Sequence, residues 1–494
     1  MLPSPFHMRY ADLAVILVYL IGITWFGAHF KESQKSLRDY FLGGRNTPWW
    51  AIAFSIVSAE TSTLTVIGTP ALAFNGNLGF LQVVFGYLLA RIVIATLLLP
   101  HYFRGEMFTA YELMQRRFGP RIRKLTAASF LVLRALAEGV RVFAISIVIS
   151  IVLGTGEAAS ILLIVCLTIF YTFEGGMTAV IWTDVIQMVL YVGGAILSFF
   201  VILANVPGGW SHVAAVAQPL GKFQVFDFAF SPTPEFFSRT YNFWAGLIGG
   251  CFLTTASHGT EQLMVQRLLA ARSQAESRLA LFASWAVIFF QFSLFLIIGL
   301  TLFVYYQGSG TPPPARADTI YPAFIWNHLP PVVSGLVIAA ILAAAMSNLS
   351  AALNSLASTT VMDFWKPLAE ARGVHEPDSY WLGVARRSTL LWGAVLFAIA
   401  LVAQNVQSVL EAGLGIASVV YGSLLGVFLL GVLTWRTTES ASMTGMAAGL
   451  AVMLYVRLGT NIAWTWYVLI GTSVTFLVAL AASFFLGSKH ATQA

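Results

Sequence analysis

The stretch WAIAFSIVSAETSTLTVIGTPALAF, Trp50 to Phe74, is a hydrophobic span interrupted at its middle by Ser58, Glu60, Thr61, Ser62, Thr63 and Thr65. A carboxylate held at mid-membrane costs about 3 kcal/mol or more unless it is paired or hydrated, and backbone that leaves the helix there is tolerated only where it lines a buried cavity. The pattern predicts a helix broken in mid-membrane around a solute or an ion, with the rest of the chain as its housing.

Composition supports that setting. Of 494 residues 58% are hydrophobic and only 10% charged, against about 25% charged in water-soluble domains, and the mean hydropathy is +0.79. The lipid bilayer is the first partner. Cys166 and Cys251 both lie in apolar runs, which excludes a disulfide or zinc framework. The net charge of +6 comes from basic residues between apolar spans, as membrane topology requires, so no nucleic-acid partner is implied.

About thirteen apolar segments are long enough to cross a bilayer: near residues 11–29, 48–74, 78–101, 122–153, 158–174, 178–206, 240–258, 276–306, 331–363, 380–403, 408–434, 441–457 and 463–487. The first is followed by Lys31, Lys35 and Arg38 and reads as a retained stop-transfer helix, not a cleaved leader. Basic residues crowd alternate loops (those after the first, third, seventh, ninth and eleventh spans, and the C-terminus), while the intervening ones hold only Arg9, Lys222, Arg239, Arg316 and Arg457. This predicts a multi-pass protein of the plasma membrane, or of the inner membrane in a bacterium, with its N-terminus outside and its C-terminus cytoplasmic. No loop is long enough for a soluble domain, so residues 1–494 form one membrane domain.

A second interruption, TTASHGTEQ (Thr254 to Gln262), follows the first by five spans. Taken alone it also fits the end of an ordinary helix, with His258 and Glu261 among headgroups. Paired with the first break, it points to an inverted-repeat transporter whose solute and ion sites lie at the membrane midplane. The repeats are then 48–206 and 240–434, preceded by the helix at 11–29 and followed by two at 441–487.

Five blocks resemble, in order and spacing, those of the sodium:solute symporter family: YFLGGRNTPWW (Tyr40 to Trp50), TAYELMQRRFG (Thr109 to Gly119), GGMTAVIWTDVIQ (Gly175 to Gln187), EQLMVQRLLAARS (Glu261 to Ser273) and SNLSAALNSLASTTVMD (Ser347 to Asp363). The resemblance covers nearly the whole chain. It implies an all-α polytopic protein with a LeuT-type 5+5 core, one extra N-terminal helix and two extra C-terminal ones. IGTPALAF (Ile67 to Phe74), and Thr61 where sugar carriers usually have Gln, place the chain nearer the iodide, monocarboxylate and vitamin branch than the sugar branch.

The same resemblance implies a sodium site between the first broken helix and the span 331–363. Phe54, Val57 and Ala344 match positions that supply backbone carbonyls, Ser347 matches a hydroxyl ligand, and Asn348 stands where a second hydroxyl is usual. Oxygen donors of this kind suit a hard cation. Asp184 and Ser350 match a further cation position, although Ala351 replaces another expected hydroxyl. Read without the family, Asp184 is an intramembrane acid that marks an ion or proton pathway, or a carboxylate paired with a loop Arg. For Ser347 and Ser350 the plain alternative is close helix packing.

Solute contacts are expected from Ser58, Glu60, Thr61, Gln82 and His258, the polar groups on which the two breaks and the adjoining helix converge. Arg134, Glu138 and Arg141 share one face of the fourth span and leave one cation without a partner. Either Glu60 or an anionic solute would serve that cation, which makes Arg134 a sixth candidate solute residue. His258 reads equally as a packing histidine.

The chain lacks the HExxH and GxSxG motifs and a phosphate-binding loop, so an enzyme or a primary pump is not expected. The expected function is secondary active transport: sodium-coupled uptake of a small organic solute by alternating access, with a carboxylate as the leading class. Sodium is the coupling ion, no other cofactor is implied and no protein partner is required. The alternatives are a proton-coupled or sugar symporter of the same fold, or a transport-inactive nutrient sensor.

Overall fold

The computed structural model describes residues 9–29, 46–104, 110–171, 177–376, 378–435 and 437–485. Lys31, Lys35, Arg38, Arg45, Arg436 and Lys489, part of the orientation pattern, lie outside the described residues, as do parts of the blocks at Tyr40 and Gly175. Among the described residues the chain forms helices joined by turns and coil, with one isolated bridge between Thr47 and Ala271.

The principal helices are α1 (Tyr10–His29), α2 (Trp49–Glu60), α3 (Thr63–Asn75), α4 (Leu81–Val93), α5 (Pro120–Leu153), α6 (Glu157–Tyr171), α7 (Met177–Ala204), α8 (Gly250–Gly259), α9 (Gln262–Leu269), α10 (Gln274–Gly308), α11 (Val333–Thr359), α12 (Asp378–Ala403), α13 (Val409–Leu433), α14 (Glu439–Gly459) and α15 (Tyr467–Phe485). Among the described residues nine helical spans are long and apolar enough to cross a membrane, or ten when the bent pair α2 and α3 counts as one. Thirteen is not reached by that measure for a physical reason: the apolar parts of α1 and α6 are short, and the second interrupted span is cut into α8 and α9.

The first break sits where the hydroxyls cluster. α2 stops at Glu60, Thr61 leaves helical geometry at φ −88°, ψ 89°, and α3 restarts from extended Ser62 with a bend of 65°. Ser and Thr offer the backbone local alternatives to the helix ladder. Here Thr65 Oγ1 donates to Glu60 O at 3.4 Å, while Thr61 N–H closes α2 on Val57 O at 2.8 Å. The second span begins with a π-helical turn, Ala245–Gly249, and breaks at Thr260 and Glu261.

Glycine brings α4 against the second interrupted span. A Cβ on Gly86 would lie 2.6 Å from the carbonyl oxygens of Gly246 and Leu247, and one on Gly250 would lie 2.3 Å from Val83 O. Any side chain there would force α4 off the second broken span, so backbone-on-backbone contact holds the two together.

On one face of the bundle, α1 is latched to α11. Asp12 Oδ1 accepts from the backbone N–H of Val332 at 2.7 Å and of Gly335 at 3.0 Å, capping the start of α11 from another helix, and Arg9 pairs with Asp12 at 2.7 Å. The loop after α7 is tied down as well. Lys222, counted above only as a loop charge, is buried, and its ammonium donates to Phe74 O at 2.7 Å and Gly76 O at 3.0 Å at the end of α3. That burial pushes its pKa below the usual lysine value.

Candidate functional site

The two breaks face one another across a cavity of about 130 Å³. The first contributes Glu60, Ser62 and Thr65; the second contributes Thr254, Ser257, His258 and Glu261. Phe80 and Tyr87 from the α4 region, Phe130, Arg134 and Arg141 of α5, Phe292 of α10 and Tyr421 of α13 complete the polar and aromatic lining. A mainly apolar enclosure with a few convergent polar groups is the usual form of a small-molecule site.

Three of the six expected solute residues, Glu60, Arg134 and His258, line this cavity. Ser58 and Thr61 are buried beside the break, where Thr61 Oγ1 accepts from Gln291 Nε2 at 2.5 Å. Gln82 goes elsewhere. Its Oε1 accepts from the backbone N–H of Asp227 at 3.0 Å, so it anchors the loop after α7 and is not among the lining residues.

The charges are partnered in a way the sequence did not reveal. Glu60 receives Arg91 Nη2 at 2.9 Å and lies 3.2 Å from His258 Nε2, whose Nδ1 side meets Ser257 Oγ at 2.9 Å. Arg91 is wholly buried and donates also to Leu281 O, Ser284 Oγ and Tyr87 O. Arg134 pairs with Glu138 at 3.0 Å and, across the cavity wall, with Glu261 at 3.0 Å. Arg141 closes on Glu138, and Tyr421 donates to the second oxygen of Glu261.

The cation that the spacing of Arg134, Glu138 and Arg141 left over is therefore met by Glu261, neither by Glu60 nor by a need for an anionic ligand. Three guanidinium groups (Arg91, Arg134, Arg141) face three carboxylates (Glu60, Glu138, Glu261) around the cavity. Breaking one partner of such a buried set leaves an uncompensated charge. The set is both wall and scaffold.

Asp184 is held by the chain's own cation. Arg267 Nη2 stands 3.0 Å from its Oδ2, Ser55 Oγ donates to the same oxygen at 2.6 Å, and Arg267 Nε donates to Ser55 Oγ at 2.9 Å. This joins α2, α7 and α9. Arg267, one of the basic residues that follow the seventh span, is almost wholly buried. Ser350 is half-buried on α11.

For the expected sodium ligands, Phe54 and Val57 lie on α2, and Ala344, Ser347 and Asn348 on α11, two helices that both pack against α7. Val57 O already accepts from Thr61 N–H, which leaves it a second lone pair. The side chain of Ser347 lies outside the described residues. Asn348 is half-buried.

Arg91, Glu261, Tyr421, Ser55 and Arg267 are the residues that sequence reasoning missed or placed elsewhere. One signal was available: Arg91 interrupts the apolar run FGYLLARIVIATLLL, and an arginine there demands a partner. The others became meaningful only through contacts made across the bundle.

Broken helices around a buried cavity, ion-paired walls and a long flanking helix define a secondary transporter of the LeuT-type class. The model of the sodium:solute symporter family matches residues 40–449, and the chain belongs to that family. It is 29% identical to a sodium/sialic acid symporter of Proteus mirabilis over 97% of this chain and 96% of the relative. It is also 29% identical to the human sodium/iodide cotransporter, over 92% of this chain and 70% of the relative. A solved structure of a Na+-coupled sialic acid symporter, substrate-bound and outward-open, superposes with a TM-score of 0.81 at 27% identity, covering 97% of this chain and 98% of that one. Members of the family are sodium-coupled membrane transporters, not enzymes; the chain is a multi-pass transporter with Na+ as its coupling ion.

Proposed function

We propose that the chain takes up a small organic solute bearing a carboxylate together with Na+, and binds it in the cavity between the two breaks. The observation that carries this reading is that Arg141, which closes on Glu138 through one terminal nitrogen, lines the cavity with its side chain 28% exposed, beside Arg134. A guanidinium fork suits a carboxylate. The preference rests on this group, since the surrounding charges cancel. Both relatives named above carry anions, which supports the reading by analogy.

Uptake into proteoliposomes from a panel of carboxylates and neutral sugars tests it. Carboxylates are expected to be taken up when an inward sodium gradient is imposed and to compete with one another. Arg141→Gln should weaken solute affinity by about 10- to 100-fold, the scale of one charge-assisted hydrogen bond. If a neutral sugar dominates while carboxylates neither bind nor compete, the solute reading fails and the transporter assignment stands. A sensor would bind without accumulating anything.

In this reading residues 48–206 and 240–434 are the two repeats, and Na+ sits between α2 and α11 on the carbonyls of Phe54, Val57 and Ala344 with Ser347 and Asn348. At Asp184 the guanidinium of Arg267 takes the place of an ion, so a site with Ser350 would open only when Arg267 moves away. The N-terminus is placed outside the plasma membrane and the C-terminus inside, in keeping with the basic loops. A cysteine at exposed Pro313 should therefore react with an impermeant maleimide on intact cells, while one at exposed Arg272 should react only after permeabilisation. Lys222 is too well buried to serve as the external probe.

A further inference from the structure

The loop after α7 turns its polar anchors inward and its aromatic side chains outward. On the inner side, Lys222 enters the carbonyls at the end of α3, Gln224 O accepts from Leu78 N–H at 3.1 Å, and Asp227 N–H donates to Gln82. On the outer side, Phe226, Phe228 and Phe230 are 41%, 61% and 66% exposed. Three large apolar rings within five residues make a patch that a water-facing loop does not carry without a partner.

The direction of the patch is fixed by what Phe226 stacks on. Its ring lies 5.6 Å from that of Phe85, at 25°. Phe85 shares one face of α4 with Leu89 and Ile92, four and seven residues on, which are 39% and 44% exposed. Exposed apolar side chains on a helix long and apolar enough to cross a membrane mark its lipid-facing side. The loop thus packs over the bilayer side of α4, and its exposed rings continue a surface that lipid already covers. Phe226 and Phe228 stack on each other at 5.3 Å, so residues two apart lie on one side, while Asp227 between them is occupied by Arg239 at 2.8 Å.

We propose that Phe226, Phe228 and Phe230 enter the boundary between headgroups and acyl chains of the adjoining leaflet, and that their partner is the lipid interface itself. Aromatic side chains concentrate at that depth in membrane proteins. The same segment clamps the corner between α3 and α4, so membrane insertion would pin to the bilayer the strap that holds the outer half of the first broken helix.

The test uses the full-length protein in liposomes, with Cys166 and Cys251 replaced by serine. Single cysteines at Phe228, Ala229 and Phe230 each carry an environment-sensitive fluorophore, and uptake by each variant confirms folding. Labels at Phe228 and Phe230 should be quenched by lipids brominated high on the acyl chain and not by aqueous iodide, at a depth of about 5 to 10 Å. The label at Ala229, on the opposite side of the period-two chain, should show the reverse. Quenching of all three by iodide would overturn the proposal. Protection of Phe228 and Phe230 from both quenchers, with crosslinking between copies, would also overturn it, in favour of a protein partner.

Discussion

Arg91→Met, with Glu60 left in place, is expected to lose about 3 to 5 kcal/mol of stability, the scale measured when one member of a buried ion pair is removed. The thermal midpoint of the detergent-solubilised protein should fall steeply and little folded material should reach the membrane. Arg91 is wholly buried and makes its 2.9 Å contact with Glu60 inside the bundle, so its removal leaves the carboxylate with only His258 beside it. Glu60→Gln should be milder in one respect, since His258 can still bond the amide, but it strands the guanidinium.

The discriminating measurement is the double variant Arg91→Met with Glu60→Gln. Replacing both charges by neutral groups of similar size is often close to neutral for stability, so the double variant should recover most of what Arg91→Met loses. If it is as unstable as the single variant, the ion pair is not the source of the effect. The contacts of Arg91 to Leu281 O and Tyr87 O would then be what matters.

The second large effect concerns coupling. Filling a sodium site between α2 and α11 favours the solute-ready arrangement, and a ligand shifts such an equilibrium only by its differential affinity for the two states. Coupling energies are typically about 1 to 3 kcal/mol, so saturating sodium should tighten solute binding about 5- to 150-fold, and solute should tighten sodium binding by the same factor. Equilibrium binding of both ligands to the purified protein measures the reciprocity. Ser347→Ala removes one oxygen with little change in volume and should raise the sodium concentration for half-maximal uptake without loss of folded protein. Asn348→Ser restores the hydroxyl usual in the family and should preserve or strengthen sodium dependence. Uptake that tracks a proton gradient and ignores sodium would remove this site from the mechanism and turn attention to Asp184.

Hydropathy and a few polar interruptions, both readable along the chain, placed the breaks. The hydroxyls and the carboxylate at 58–65, and the second cluster at 254–262, fall within a few residues of the ends of α2 and α8. The span count was harder, because crossing length is set by packing as well as by composition: α8 and α9 are short helices that only together, with the π-helical turn, make one interrupted span. Gln82 shows the same limit on a small scale. Its position three residues after Gly79, at the head of a membrane helix, fits a cavity residue as well as a loop anchor, and the fold turned it to Asp227.

By itself the sequence determined that this is a polytopic membrane protein, where its two helices break and which family its blocks resemble. Those properties follow from local burial and local backbone competition, each legible within one turn or one span. Tertiary structure alone decided which charges meet across the bundle. Burial required that Arg91, Arg134 and Asp184 each find a partner, because the desolvation penalty of an unpaired ion exceeds what the fold can absorb. Nothing in that requirement names the partner, and the partners stand 31, 127 and 83 residues away, at Glu60, Glu261 and Arg267.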